Sequence, residues 1–230
     1  MGKEFSRYGW RWIFPLVGLV AWLSLGCSPQ SLTMLAGAFD GDRVDPEYKI
    51  FTSKDEVTLV LLTHFDPPEF RTEVVPVKDE LTDKLGKFIL SRCQENKHKV
   101  KIVPEAKVRS YVMKQKAEGD YSPVDVGQHF KADFVLDLSI QSCDIYEKKM
   151  SPPAYNGNAA IDINLYKMKD GDQPVFPKSY HGVYPGERGT LIEATAMSVS
   201  QFRGYFVNKL ACDISKIFIA YPQQEKHMFD

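Results

Sequence analysis

The sequence has none of the short motifs that mark the common catalytic sites. Its 230 residues contain no Gly-x-Ser-x-Gly elbow, no His-Glu-x-x-His zinc motif and no phosphate-binding loop. The four cysteines stand at positions 27, 93, 143 and 212, so neither a Cys-x-x-Cys pair nor a Cys/His zinc spacing occurs. The sequence therefore predicts no metal and no cofactor, and it favours a protein that is not an enzyme.

An excess of charge of one sign is also missing. The chain has 29 basic and 30 acidic residues and a net charge of −1. Its first 26 residues carry three basic residues and one acidic residue, so the chain beyond them has a net charge of −3. Without a basic excess we expect no nucleic acid as a partner.

No apolar run is long enough to span a membrane. The run over residues 12–25 falls short of the about 20 residues that a spanning helix needs. Basic residues precede it and Gly26-Cys27 follows it, which is the layout of a bacterial lipoprotein signal. We therefore predict a signal peptide over residues 1–26 and lipidation of Cys27. An uncleaved N-terminal anchor is the alternative.

The predicted lipid implies that the chain lies on a membrane surface. Several acyl chains on one cysteine hold a protein firmly on a membrane. Ser28 follows the cysteine, which by analogy with Gram-negative sorting favours the outer membrane, with the protein facing the periplasm. Residues 27–46 read as a tether, residues 47–221 as a single α/β domain and residues 222–230 as a C-terminal tail.

Hydrophobic periodicity predicts the elements of the domain. Residues 57–64 form a continuous apolar run that suits a strand buried on both faces. Apolar residues recur at helical spacing over two stretches, and apolar and polar residues alternate in three strands. The predicted helices are 79–96, 105–118, 123–130 (capped by Ser122) and 195–221, and the other strands are 100–103, 132–146, 159–166 and 175–184.

These elements predict an α/β (α+β) fold in the order β-α-β-α-α-β-β-β-α. We expect a mixed sheet of about four to five strands with flanking helices on one or both faces. If Cys27 is acylated, an exported compartment permits one disulfide among Cys93, Cys143 and Cys212, with all three pairings open. A buried thiol is the simpler expectation for Cys93, which adjoins the apolar stripe of a helix.

Three segments carry a resemblance to known envelope proteins. Residues 127–135, Gly-Gln-His-Phe-Lys-Ala-Asp-Phe-Val, resemble the point in the TolB amino-terminal, CsgG-type and LpoB-type α/β domains where a short helix leads into a central strand. Residues 101–104 resemble the short second strand of those domains, and residues 66–71, 100–104 and 128–130 resemble a group of bacterial lipoproteins without an assigned activity. The resemblance implies binding to other envelope proteins.

Two pairs of polar residues are candidates for chemistry. His64 and Asp66 lie at a strand end, where sites form in open sheets. Asp125 and His129 are four residues apart on a short helix and so share a face. Each pair suits half of a metal site or an acid–base pair, but a third ligand at suitable spacing is missing. Turn-stabilising or helix-face hydrogen bonds are the alternative role.

The sequence thus favours a lipid-anchored envelope lipoprotein that is not an enzyme and that binds other envelope proteins in assembly, transport or cell-wall maintenance. Two alternatives stay open. One is a CsgG-like secretion component, which would be an oligomer of this chain. The other is a hydrolase that uses His64 and Asp66 or Asp125 and His129.

Overall fold

A computed structural model describes residues 43–52, 55–118, 121–147, 154–186 and 191–227. Its contacts divide the chain at Arg43, and Val44–Asp230 forms one compact unit. The predicted signal peptide, the lipidation site Cys27 and most of the predicted tether lie outside the described residues.

The described elements alternate between strands and helices along the chain. The helices are α1 (Val77–Glu95), α2 (Glu105–Glu118), α3 (Pro123–His129) and α4 (Val199–Phe218), and a 3₁₀ turn covers Gln223–His227. The strands are β1 (Arg43–Val44), β2 (Val57–Phe65), β3 (Val100–Ile102), β4 (Phe134–Glu147), β5 (Ala154–Lys167), β6 (Phe176–Tyr184), β7 (Ile192–Glu193) and β8 (Tyr221–Pro222).

The main sheet is mixed, as predicted. Its strand order is β3-β2-β4-β5-β6, and β7 adds two residues beside β5. The pairs β2/β3 and β2/β4 are parallel, whereas β4/β5 and β5/β6 are antiparallel. The α/β class and the predicted order of the elements are confirmed.

Each face of the sheet has its own apolar core. On one face, Leu59, Leu136 and Ile163 pack with α1 and α4 in the larger cluster. On the other face, Val60, Leu62 and Val135 pack with α2 and α3 in a smaller cluster. Because β2 contributes to both clusters, its nearly continuous apolar sequence is the one that a strand buried on both faces requires.

Local signals set the start of two helices. Ser122 accepts a hydrogen bond from the Asp125 backbone N–H, and Asp125 accepts one from the Ser122 backbone N–H, which is the reciprocal capping box. Ser198 and Gln201 form the same box at the start of α4. The predicted cap at Ser122 is confirmed, whereas α4 begins four residues after the predicted position 195, at the residue that follows its capping serine.

The strand β5 begins earlier than the sequence pattern indicated. Its first residues, Ala154 to Asn158, include polar side chains and Gly157, which interrupt the apolar alternation. They still form a strand because Tyr155 and Asn158 pair with Tyr146 and Asp144 of β4. The backbone of this segment is paired with its partner strand, although its own side chains lack the alternation that predicts a strand.

Cys93, Cys143 and Cys212 are buried and carry free thiols, so none of the three open disulfide pairings is present among the described residues. Burial raises the pKa of Cys93 and of Cys143 to about 12, which keeps both thiols protonated and unreactive. In the part of the chain that the structure describes, no helix combines the length and the apolarity needed to cross a bilayer.

The end of the described chain is held by a buried arginine. Arg92 of α1 donates to Ser215 at 2.9 Å and to the Glu225 carboxylate at 2.6 Å. Its guanidinium also lies 5.6 Å from the centre of the Tyr221 ring, a cation–π distance. Residues 223–227, which belong to the predicted tail, therefore form an ordered turn on the domain.

Gly157 allows β5 and α4 to approach closely. A Cβ at this position would lie 2.7 Å from the ring of Phe206, which is fully buried. We expect Gly157→Ala to lower the free energy of unfolding by about 1–3 kcal/mol, because the ring has no space to move into. Denaturant unfolding of the full-length protein measures this change.

The matched control is Gly204→Ala in α4, where a Cβ meets nothing within 4 Å. We expect it to raise stability by up to about 1 kcal/mol through helix propensity. Equal stability of Gly157→Ala and the wild-type protein would contradict the close packing.

Candidate functional site

A cleft lies beyond the carboxyl end of β2, between α1 and α2. This cleft has a volume of about 280 Å³, and the carboxyl ends of parallel strands are where open α/β sheets place their sites. The strand β2 forms its floor and the segment that follows β2 forms its end. Its polar and charged lining residues are Thr63, His64, Glu69, Lys78, Asp79, Thr82, Glu105, Arg109, Lys116 and Tyr121.

His64 at the end of β2 faces a carboxylate from the neighbouring strand. Its Nδ1 lies 3.3 Å from Oδ1 of Asp137, and the side chains are 33% and 8% exposed. Nδ1 is itself buried and has no hydrogen-bond partner of good geometry among the described residues. The imidazole and the carboxylate are therefore in close contact without an aligned hydrogen bond.

Asp137 is buried although it belongs to the polar set of its alternating strand. The register places it beside Asn164 and places Ser139 beside Asp162, so the polar side chains share one face as the alternation predicts. Asp137 and Ser139 are nevertheless buried, because β4 lies between β2 and β5. Burial raises the pKa of the nearby Tyr166, and the Asp137 charge adds to that shift.

Asp66 occupies a different place from its predicted partner. It lies just after β2, is exposed, and its backbone N–H donates to the Ile140 carbonyl at 3.0 Å. The carboxylate in contact with His64 comes from Asp137, which is 73 residues further along the chain, and sequence spacing alone gave no signal for this pair.

Asp125 and His129 both lie on α3 but make separate local contacts. The Asp125 carboxylate accepts from the Ser122 hydroxyl at 2.7 Å within the capping box. The His129 ring stacks on Tyr111 of α2 with a centroid distance of 3.9 Å and packs edge-on against Phe130. The structure thus gives one residue a capping contact and the other a contact between helices.

Residues 66–71, which we call the Phe70 loop, close the end of the cleft. The Glu69 carboxylate accepts from the backbone N–H groups of Phe70 and Arg71, both at 2.9 Å, and from the Arg71 guanidinium. Arg71 also donates to Asp144 and to the Cys143 carbonyl on β4, both at 2.6 Å. These charge-assisted bonds fix the loop against the sheet.

The loop presents an aromatic side chain to solvent. Phe70 is 85% exposed, whereas the next most exposed large apolar side chain among the described residues, Met113, is 63% exposed. Scattered exposed apolar residues are normal on protein surfaces. Phe70 differs because the loop that carries it is held in one conformation beside a cleft. In the sequence, residues 66–71 stand out only through their resemblance to a group of lipoproteins, and no local pattern predicts the exposure of Phe70.

An ion pair joins the two helical walls of the cleft. Arg109 of α2 lies 3.2 Å from the Asp79 carboxylate of α1, and it also binds Glu105 on its own helix. Lys116 lies 5.4 Å from the centre of the Tyr121 ring. The walls carry charges of both signs, so the cleft does not select a ligand of one charge.

No group of three or more His, Cys, Asp or Glu side chains is arranged to hold a metal within the described ranges. Two tyrosines of the antiparallel strands pack into the larger core: Tyr155 stacks on Phe202, and Tyr180 donates to Asp213 at 3.0 Å.

No protein-family model matches the chain, and no curated protein matches it either. Among solved structures, the PelC dodecamer from Paraburkholderia phytofirmans is 9% identical, with 76% of this chain and 95% of that chain covered and a TM-score of 0.40. Lipoprotein GNA1162 from Neisseria meningitidis is 12% identical, with coverage of 69% and 98% and a TM-score of 0.40. The LpoB C-terminal domain from Salmonella enterica is 11% identical, with coverage of 64% and 90% and a TM-score of 0.33. Similarity at this level assigns the chain neither a family nor a function.

Glu69 makes the Phe70 loop sensitive to acid. Its bonds to Arg71 lower its pKa from the ordinary 4.5 to about 2. A lowered pKa in the folded state contributes stability that is fully present above about pH 4.5 and is lost as the pH falls through about 2. We expect Glu69→Gln to be less stable than the wild-type protein at neutral pH, and the difference to shrink between these two values.

Denaturant unfolding of both proteins from about pH 7 down to about pH 2 measures this difference, in the range where the carboxylate takes up its proton. A constant difference across the whole range would show that the Glu69 charge does not stabilise the fold.

Proposed function

We propose that the protein is an envelope lipoprotein, anchored to the membrane by lipid on Cys27, that carries out no catalysis and binds other envelope proteins. The binding serves assembly, transport or cell-wall maintenance. The contact surface is the Phe70 loop together with the adjoining cleft. The signal layout that ends at Gly26-Cys27 supports the anchor, and Ser28 supports the outer membrane facing the periplasm.

The observation that carries the binding function is the exposure of Phe70 on a fixed loop. Aromatic residues are enriched among the side chains that contribute most of the binding energy in protein interfaces. A loop that is already ordered costs less conformational entropy when a partner binds. The Glu69–Arg71–Asp144 contacts provide this order before binding, so the ring is presented for contact with a partner.

The first test concerns the anchor. Intact mass of the protein purified from membranes should match a chain that begins at Cys27 and carries acyl groups. Cys27→Ser should lack the acylated species, since a serine cannot form the thioether. A full-length mass for the wild-type protein would contradict lipidation and favour an uncleaved anchor.

The second test concerns the contact surface. The full-length protein, cross-linked in intact cells and then extracted in detergent, should recover a discrete envelope protein. We expect Phe70→Ala to reduce that recovery about tenfold, the effect of losing an aromatic hot spot. Quantitative mass spectrometry of the recovered proteins measures the change.

Met113→Ala is the matched control, because Met113 is also an exposed large apolar side chain but lies on α2 outside the loop. It should leave recovery unchanged. Equal recovery with Phe70→Ala and with the wild-type protein, or isolation of the protein alone in every preparation, would contradict binding through the Phe70 loop.

A further inference from the structure

One edge of β2 is only partly paired. Its residues 59–65 pair with β4 along one side, whereas on the other side β3 pairs only with residues 57–59. The last contact on that side is the Val103 N–H to the Leu59 carbonyl, at 2.9 Å. Beyond this point the chain leaves the sheet at Pro104 and enters α2.

The backbone groups of Leu61 and Thr63 point to this open side. Successive residues of a strand direct their N–H and C=O groups to opposite edges. Val57 and Leu59 bond toward β3, and Asp66 bonds toward β4, so Leu61 and Thr63 fall on the β3 side. Among the described residues no backbone partner completes them. Both residues line the cleft between α1 and α2, where polar backbone groups favour a hydrogen-bonding partner.

An apolar groove continues the cleft along the same edge. It has a volume of about 310 Å³ and shares Leu61, Thr82 and Glu105 with the cleft. Its apolar lining comes from both sides of the open edge and consists of Leu61, Leu90, Ile102, Val103 and Pro104. The groove and the cleft therefore adjoin the stretch of β2 whose edge β3 does not pair.

Gly86 leaves the floor of the groove open. It lies in the interior of α1, where glycine costs about 1 kcal/mol relative to alanine. A Cβ at Gly86 would be no closer than 3.6 Å to any neighbour, so close packing does not require the glycine. A side chain here would instead project into the groove, and its absence leaves room for a side chain from elsewhere.

The ion pair that joins the walls of the cleft contributes little stability. The Arg109–Asp79 ion pair joins α1 to α2, and each of its side chains is 43% exposed. Exposed ion pairs of this kind contribute at most about 1 kcal/mol. The pair is therefore a weak barrier to a ligand that enters between the helices.

We propose that an extended segment of a partner protein adds to the Leu61–Thr63 edge of β2 as a short strand and places an apolar side chain against Gly86. This inference rests on the proposed function, because it names the kind of segment that the protein would bind. An extended peptide is the occupant that the edge fits, since it supplies alternating donors and acceptors at strand spacing. Its next side chain would face Val108 and Val112 of α2, which line the cleft, so the segment carries successive apolar residues.

A displayed library of random linear dodecapeptides, selected against the full-length protein in detergent, tests this proposal. Enriched peptides are synthesised, and their affinities are measured for the wild-type protein, Gly86→Leu and Gly204→Leu. We expect Gly86→Leu, which fills the groove, to weaken binding at least tenfold. Gly204→Leu should bind within twofold of the wild-type protein, because a Cβ at Gly204 meets nothing within 4 Å.

Backbone methylation of the peptides separates strand addition from other modes. Two versions of each peptide carry methyl groups on alternate backbone nitrogens, one on the odd-numbered and one on the even-numbered residues. One version should bind at least tenfold more weakly than the unmethylated peptide and the other almost equally well, because only one set of N–H groups faces β2. If Gly86→Leu does not fold, Leu90→Glu at the groove rim replaces it, since Leu90 is half-exposed. Thermal unfolding establishes that the variant used is folded.

Any of three results would overturn the proposal. No peptide is enriched, the peptides bind Gly86→Leu as tightly as the wild-type protein, or neither methylated version binds more weakly than the unmethylated peptide. Binding of a synthetic peptide of residues 28–42 would mean that a segment of this chain occupies the edge, and this result would also overturn the proposal. The proposed function fails separately. If Gly86→Leu still recovers an envelope protein that Phe70→Ala loses, the strand site is wrong and the binding function stands.

Discussion

The fold depends on the central strand β2, whose two faces must be covered and whose two edges must find hydrogen-bond partners. Its two faces are covered by apolar clusters that include α1 and α4 on one side and α2 and α3 on the other. One of its edges is completed by β4 along residues 59–65. The fourth side is completed only over residues 57–59, because β3 is three residues long. The cleft and the open backbone groups lie where this short strand ends.

The other features of the site are arranged around the same end of β2. The Phe70 loop leaves the strand directly and is tied back to β4 by Arg71. His64 faces a carboxylate that is largely shielded from solvent. Within the described ranges, no group of three or more His, Cys, Asp or Glu side chains is placed to hold a metal ion. A fixed aromatic ring, a cleft with balanced charge and an unpaired strand edge together fit recognition of a protein.

Sequence reasoning succeeded where the signal is local. The spacing of the apolar residues located α1, α4 and most of the long strands, and Ser122 followed by Asp125 three residues later located a helix start. It failed where contacts depend on register between distant strands. The contact between His64 and Asp137 and the tie between Arg71 and Asp144 join residues more than 70 positions apart. The open edge of β2 was hidden for the same reason, since strand order and the length of pairing are properties of the assembled sheet.

Amide hydrogen exchange along β2 in the unliganded full-length protein tests the central claim most directly. The N–H groups of Val60 and Leu62 point to β4, whereas those of Leu61 and Thr63 point to the open edge. Exchange reports the opening of individual hydrogen bonds. The account predicts an alternating pattern, in which Leu61 and Thr63 exchange faster than Val60 and Leu62. Uniform protection of all four amides would contradict an open edge, and with it the site proposed for an added strand.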